Sequence, residues 1–178
     1  MCIFNAYLII SKYPKITLMS NRFLKQLSVA FLFVLITVVS IAQSVPSPAS
    51  YLGYTVGTRF TRHHQIVSYF NTIAQAKPDM VKLMPYGKTN EGRDLLVAAI
   101  GLPENIAKLE EIRKHNNGLI DGSVTDLNQP GIVWLSYNVH GNEPASSEAA
   151  MLTLFALVDP ANAKTKEWLK NTIVMIDP

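Results

Sequence analysis

Hydrophobic residues fall into three patterns along this chain, and each predicts a different kind of element. From Leu27 to Ala42 the run LSVAFLFVLITVVSIA carries no charge, with Arg22 and Lys25 before it and the polar QSVPSPAS after it. From Thr61 to Ala76, the residues Ile66, Val67, Phe70, Ile73 and Ala74 recur at helical spacing, with Thr61 placed to cap the start and Lys77-Pro78 to stop the helix. Pro103 to Asn116 repeats that period through Ile106, Leu109 and Ile112. Glu110 and Lys114 form an i,i+4 pair on its other side, and Gly118 is its predicted end. Pro144 to Val158 is dense in Ala, Met, Leu and Phe, with Pro144 suited to the first helical position and Asp159-Pro160 to the stop. Lys164 to Lys170 predicts a short further helix.

The third pattern consists of short continuous runs. MVKLMPYG (Met80 to Gly87) and LLVAAIG (Leu95 to Gly101) flank the turn-rich KTNEGRD, which predicts two antiparallel neighbouring strands. IVWLSYNV (Ile132 to Val139) and TIVMIDP (Thr172 to Pro178) are apolar on both faces, as strands covered by helices on both sides must be. DGSVTDLNQPG reads as a loop, and no internal repeat follows Ser50. Helices interleaved with two-sided strands give an α/β class, with a mixed, mostly parallel sheet and flanking helices.

The charge-free run has the layout of a secretory signal peptide: a basic start, an apolar middle, and small residues Ser40 and Ala42 before Gln43. It falls short of the ~20 apolar residues of a spanning helix, so cleavage is expected rather than stable membrane insertion. Residues 1–42 are then leader, and the protein is secreted or periplasmic. Met19 opens a leader of ordinary proportions, which marks 1–18 as the product of a mis-assigned start. Residues 43–56 read as a linker to the domain that follows.

Removing the leader changes the charge balance. Four of the 16 basic residues and none of the 13 acidic ones lie in it, which leaves 12 against 13. The basic excess belongs to the export signal, and nothing points to nucleic acid as a partner. The only cysteine, Cys2, also lies in the leader, so the mature chain has neither disulfide nor thiol chemistry.

The residues that suggest chemistry are His140-Gly141-Asn142-Glu143, at the handover from the strand ending at Val139 to the helix starting near Pro144. Ligands in open α/β sheets bind at the carboxyl ends of strands. An imidazole and a carboxylate both suit Zn²⁺, and a turn through Gly141 can bring them to one ion, although a catalytic zinc takes three protein ligands. The spacing alone leaves another reading open, in which Glu143 faces the positive end of the helix and His140 a backbone carbonyl. Pro144 excludes both HExxH and HxxEH, and no GxSxG elbow is present. Ser146 and Ser147 read as residues of the first helical turn, and Glu148 as a surface or supporting carboxylate. His63 and His64, adjacent on a helix, point about 100° apart and read as solvated surface.

YGKTNEGRDLLVAAIG, the apolar strand, HGNE and SSEAAM together resemble the amino-terminal half of the zinc carboxypeptidase family typified by carboxypeptidase A, over roughly Gly57 to Pro178. The resemblance implies that 57–178 is the amino-terminal part of a catalytic domain, with Zn²⁺ as cofactor and His140 and Glu143 as its first two metal ligands. Glu91, Gly92 and Arg93 would form a structural turn. The substrate implied is a peptide, or peptide-like molecule, with a free carboxylate. In the family a third ligand, the general base and the carboxylate-binding arginines come later, so this chain is expected to be inactive alone. The family sheet has eight strands in an order beginning 1-2-4-3, which would leave the strand at Ile132–Val139 without an outer neighbour. HGNE also occurs in desuccinylase and aspartoacylase relatives, which keeps an acyl-amino-acid hydrolase as an alternative, and a non-catalytic remnant is a third reading. The digestive carboxypeptidases have arginine where this chain has Asn142, so their substrate preferences do not transfer.

Overall fold

A computed structural model describes residues 45–178, and the expected leader, with Cys2, lies outside the described residues. In chain order the elements are α1 (Pro48–Leu52), α2 (His63–Ala76), β1 (Val81–Lys88), β2 (Asp94–Ile100), α3 (Pro103–Ile106) and α4 (Leu109–Asp121). They are followed by β3 (Gly131–Ser136), α5 (Ala145–Val158), α6 (Ala163–Leu169) and β4 (Thr172–Asp177).

The sheet runs β1-β2-β4-β3, the order expected from the resemblance. β1 and β2 form the antiparallel hairpin, from Val81 opposite Ile100 to Lys88 opposite Asp94. β2 pairs antiparallel with β4, and β4 parallel with β3. The sheet is therefore mixed; among the described strands, the parallel pairing is β3 with β4. Pro85 has no N–H to donate, and it is accommodated because β1 is an edge strand with a register shift between Pro85 and Gly87.

Alternation along the inner strands divides the core between two faces. Ala98, Ile100 and Ile176 face α2 and α5, where they join Ile66, Phe70, Ile73, Met151 and Leu154. Val97, Ala99, Ile173 and Met175 face the other way, onto Ile112 of α4 and the partly buried Ile106 and Leu109. Both faces of β2 and β4 thus carry apolar side chains, and this is why their sequences read as continuous runs rather than alternating ones.

Several boundaries differ from the sequence reading. α2 starts at His63 with Arg62 as its N-cap. Thr61, expected in that role, is buried, and its hydroxyl bonds elsewhere. The helix expected over 103–116 is two, α3 and α4. The Asn105 side-chain amide donates to the carbonyls of Leu169 (2.9 Å) and Lys170 (3.1 Å), which ties α3 to the end of α6 while α4 takes its own direction. α4 ends at Gly122, in the left-handed region at φ 80°. Gly118 lies inside it, where a Cβ would meet Val124 Cγ2 at 2.7 Å; glycine lets the following loop fold back onto the helix. Glu110 is held by Arg113 (2.7 Å) more closely than by Lys114 (3.9 Å). The Arg113 hydrogen bond keeps its carboxyl below the usual range.

Within 43–56, read as a linker, α1 packs on the core through Tyr51 and Leu52. Tyr69 donates its hydroxyl to the Pro46 carbonyl at 3.0 Å and meets Tyr51 edge-on, with ring centroids 5.1 Å apart. Burial raises the Tyr69 phenol well above its ordinary pKa, so it stays a donor.

β3 is the second edge strand of the described sheet, and it is much less covered than β4. Val133 and Trp134 are 46% and 54% exposed. An open apolar edge offers unpaired backbone groups to another chain. The 178-residue chain is therefore expected to self-associate, eluting ahead of a monomer in size-exclusion chromatography, and Val133→Lys is expected to restore the monomer. A clean monomer peak for the unchanged chain contradicts this. In the core, Phe70→Ala is expected to cost about 3–5 kcal/mol, read from urea unfolding of that monomeric variant.

Candidate metal centre

β3 delivers the chain to the site and then has to leave the sheet. Tyr137 N–H still donates to the Asp177 carbonyl at 2.9 Å, extending the ladder by one bond. Asn138, at φ 55°, then turns the backbone out of the strand; asparagine tolerates the left-handed region better than most residues. The Tyr137 hydroxyl and Thr153 Oγ1, 2.9 Å apart, tie the strand end to the second half of α5. The next residues fold into a turn in which the Glu143 N–H donates to the His140 carbonyl at 3.1 Å. Pro144, expected as the first helical residue, is instead the N-cap with helical φ and ψ, and α5 starts at Ala145.

This turn brings the His140 Nδ1 and Glu143 Oε1 atoms to 3.4 Å, with both side chains about two-thirds exposed (68% and 61%). The separation decides whether the pair fits a metal. Two ligands ~2.1 Å from one zinc on tetrahedral corners stand ~3.4 Å apart. An imidazole nitrogen and a carboxylate oxygen are also the right donors, so these two residues fit two corners of a zinc site. Among the described residues, no group of three His, Cys, Asp or Glu side chains gathers around them.

Glu148, expected at the surface or in support, is buried at 6% exposure. Its carboxylate accepts from the Gly57 N–H and from the Thr61 hydroxyl. Thr61 is also within hydrogen-bond distance, 2.6 Å, of the Tyr54 hydroxyl. Glu148 lies on the first turn of α5, so the helix that follows the HGNE turn is clamped to the Tyr54–Thr61 segment by a buried carboxylate. Glu91 and Arg93 form an ion pair in the β1–β2 turn. Gly92 there takes φ 77°, and the turn closes by a 2.9 Å bond from the Thr89 N–H to the Arg93 carbonyl. His63 and His64 are exposed, away from the HGNE turn in sequence and without a shared metal cluster among the described residues.

One contact near this end of the sheet had no sequence signal. Tyr86, at the register shift of β1, donates its hydroxyl across β2 to both carboxylate oxygens of Asp177, at 3.1 and 3.0 Å. Desolvation, and then the Asp177 hydrogen bond, raise the Tyr86 phenol. Nothing in either segment predicts the pairing, because it depends on the bulge re-aiming one side chain.

Comparison with known proteins gives the family and the fold. The sequence profile of the family described as "Zinc carboxypeptidase" matches residues 66–178, and the chain belongs to that family. No protein of curated function matches the sequence. Among solved structures, thrombin activatable fibrinolysis inhibitor shares the fold, with 14% identity and a TM-score of 0.53 over 78% of this chain and 28% of that one. Carboxypeptidase A from Helicoverpa armigera does so with 17% identity and a TM-score of 0.51, over 88% of this chain and 35% of that one. The chain thus spans about a third or less of these relatives.

The buried clamp generates a prediction. Glu148→Ala leaves the Thr61 hydroxyl and the Gly57 N–H without their acceptor, and is expected to cost about 2–4 kcal/mol in denaturant unfolding. Glu148→Gln, which keeps one carbonyl acceptor, is expected to lose less. Equal stability of Glu148→Ala and the unchanged chain contradicts the clamp.

Proposed function

We propose that this chain carries the first two metal ligands, His140 and Glu143, of a zinc-dependent carboxypeptidase that hydrolyses peptide bonds. The observation that carries this reading is the 3.4 Å approach of His140 Nδ1 to Glu143 Oε1, a ligand-like separation in a chain of the zinc carboxypeptidase family. Zinc at such a site supplies Lewis-acid chemistry, polarising the scissile carbonyl and activating a water. His140 contributes a neutral nitrogen donor, and Glu143 an oxygen donor whose charge partly offsets that of the cation. Both heads are exposed among the described residues. Asn142, between them, brings a neutral amide rather than a cation to the rim.

The substrate class is a peptide or peptide-like molecule with a free carboxylate. Residues 1–42 support export to a secreted or periplasmic location. None of the described residues is assigned as third ligand, general base or carboxylate clamp.

The 178-residue chain is expected to bind zinc weakly, with a Kd of about 1 μM or above, measured by competition with a chromophoric chelator. His140→Ala and Glu143→Ala are each expected to weaken binding at least tenfold, roughly 1.4 kcal/mol. Affinity unchanged by both substitutions overturns the ligand assignment. The same chain is expected to show no hydrolysis of an acylated dipeptide; turnover that disappears in His140→Ala would sink that expectation.

A further inference from the structure

A second concave region lies apart from the HGNE turn in sequence, between one face of α2 and the β1–β2 turn. The cavity measures about 720 Å³. His64, Val67, Ser68 and Asn71 line it along two turns of one helix face, and Arg62 and Arg93 approach from the α2 lead-in and the hairpin. Phe60, 66% exposed, supplies an aromatic wall.

The charges around it do not cancel. Its one acidic lining residue, Asp94, is held by Lys88 at 2.7 Å. Arg93 is paired with Glu91. Arg62 has no carboxylate within ion-pair distance among the described residues. His63 and His64 add two imidazoles, whose ring N–H groups are hydrogen-bond donors. A solvated basic face would account for one exposed arginine. It does not account for basic side chains from two segments distant in sequence, 60–71 and the β1–β2 hairpin, around one concavity that also has an apolar wall of Phe60 and Val67.

We propose that this cavity binds a peptide segment carrying carboxylate side chains next to an aromatic one. The carboxylates meet Arg62 and the two imidazoles, and the ring lies against Phe60 and Val67. The pairings fix where this is: β1, β4 and β3 run in the same direction, so the β1–β2 turn and the HGNE turn lie at the same end of the strands, beside opposite edges of the described sheet. Three strand spacings, ~14 Å, separate β1 from β3, a distance that about five extended residues span. The binding itself needs no metal, so it stands or falls separately from the zinc assignment.

The test uses the 178-residue chain and a fluorescein-labelled Gly-Glu-Glu-Phe amide, whose blocked end offers no terminal carboxylate, followed by fluorescence anisotropy at constant ionic strength. Saturable binding is expected, at least tenfold weaker in Arg62→Glu and several-fold weaker in Phe60→Ala, with His140→Ala unchanged. Both substituted side chains are exposed, and circular dichroism checks that each variant folds. Equal affinity for Arg62→Glu overturns the proposal. So does calorimetric binding of inorganic phosphate with no binding of the peptide, which would make the cavity a site for a free anion.

Discussion

β4 is hydrogen-bonded along both edges and covered on both faces, and every other packing relation depends on its taking that place. The β1–β2 hairpin can form locally, and the helices carry their own apolar stripes, but neither buries enough alone. Only when Thr172–Asp177 inserts between β2 and β3 do the two halves share a sheet. Val174 and Ile176 then complete the core beneath α2 and α5, while Ile173 and Met175 complete the one beneath α4. Such pairing between strands distant in sequence requires loop closure before it gains stabilisation, and the central position recovers that cost on two edges at once.

The site inherits its position from the same strand. The parallel register of β3 against β4 runs to Ser136 opposite Asp177, and one further bond from Tyr137 carries it to the strand's end. Past that point Asn138 turns the backbone away, and His140 and Glu143 converge within a single turn. Their approach is thus local, while their place on the molecule is not. Glu148 joins the two scales, because it belongs to the helix that follows the turn yet bonds to Gly57 and Thr61, far earlier in the chain.

Reading from sequence succeeded where the physics is short-range. The hairpin around Asn90-Glu91-Gly92 and the stop at Asp159-Pro160 both follow from turn chemistry and periodicity. It missed where one residue had two candidate uses. Thr61 has the side chain of an N-cap, but burying it beside Glu148 outweighs capping α2, and Arg62 takes that position instead. Gly118 has the profile of a helix stop, yet Val124 needs the space above it, and the stop moves to Gly122. Propensity is a small term, and a buried contact of a few kcal/mol overrides it.

The amino-acid sequence by itself determined the alternation of helices and apolar strands, the balanced charge of residues 43–178, and the spacing of an imidazole and a carboxylate three residues apart. Tertiary structure alone decided that Glu148 is a buried clamp rather than a surface charge, that Tyr86 reaches Asp177, and that Arg62, His64 and Arg93 surround one cavity. The physical reason is the range of the forces. Periodicity and turn preference act over a few residues and are written in order along the chain, whereas burial and hydrogen-bond satisfaction depend on which distant segments the sheet brings together.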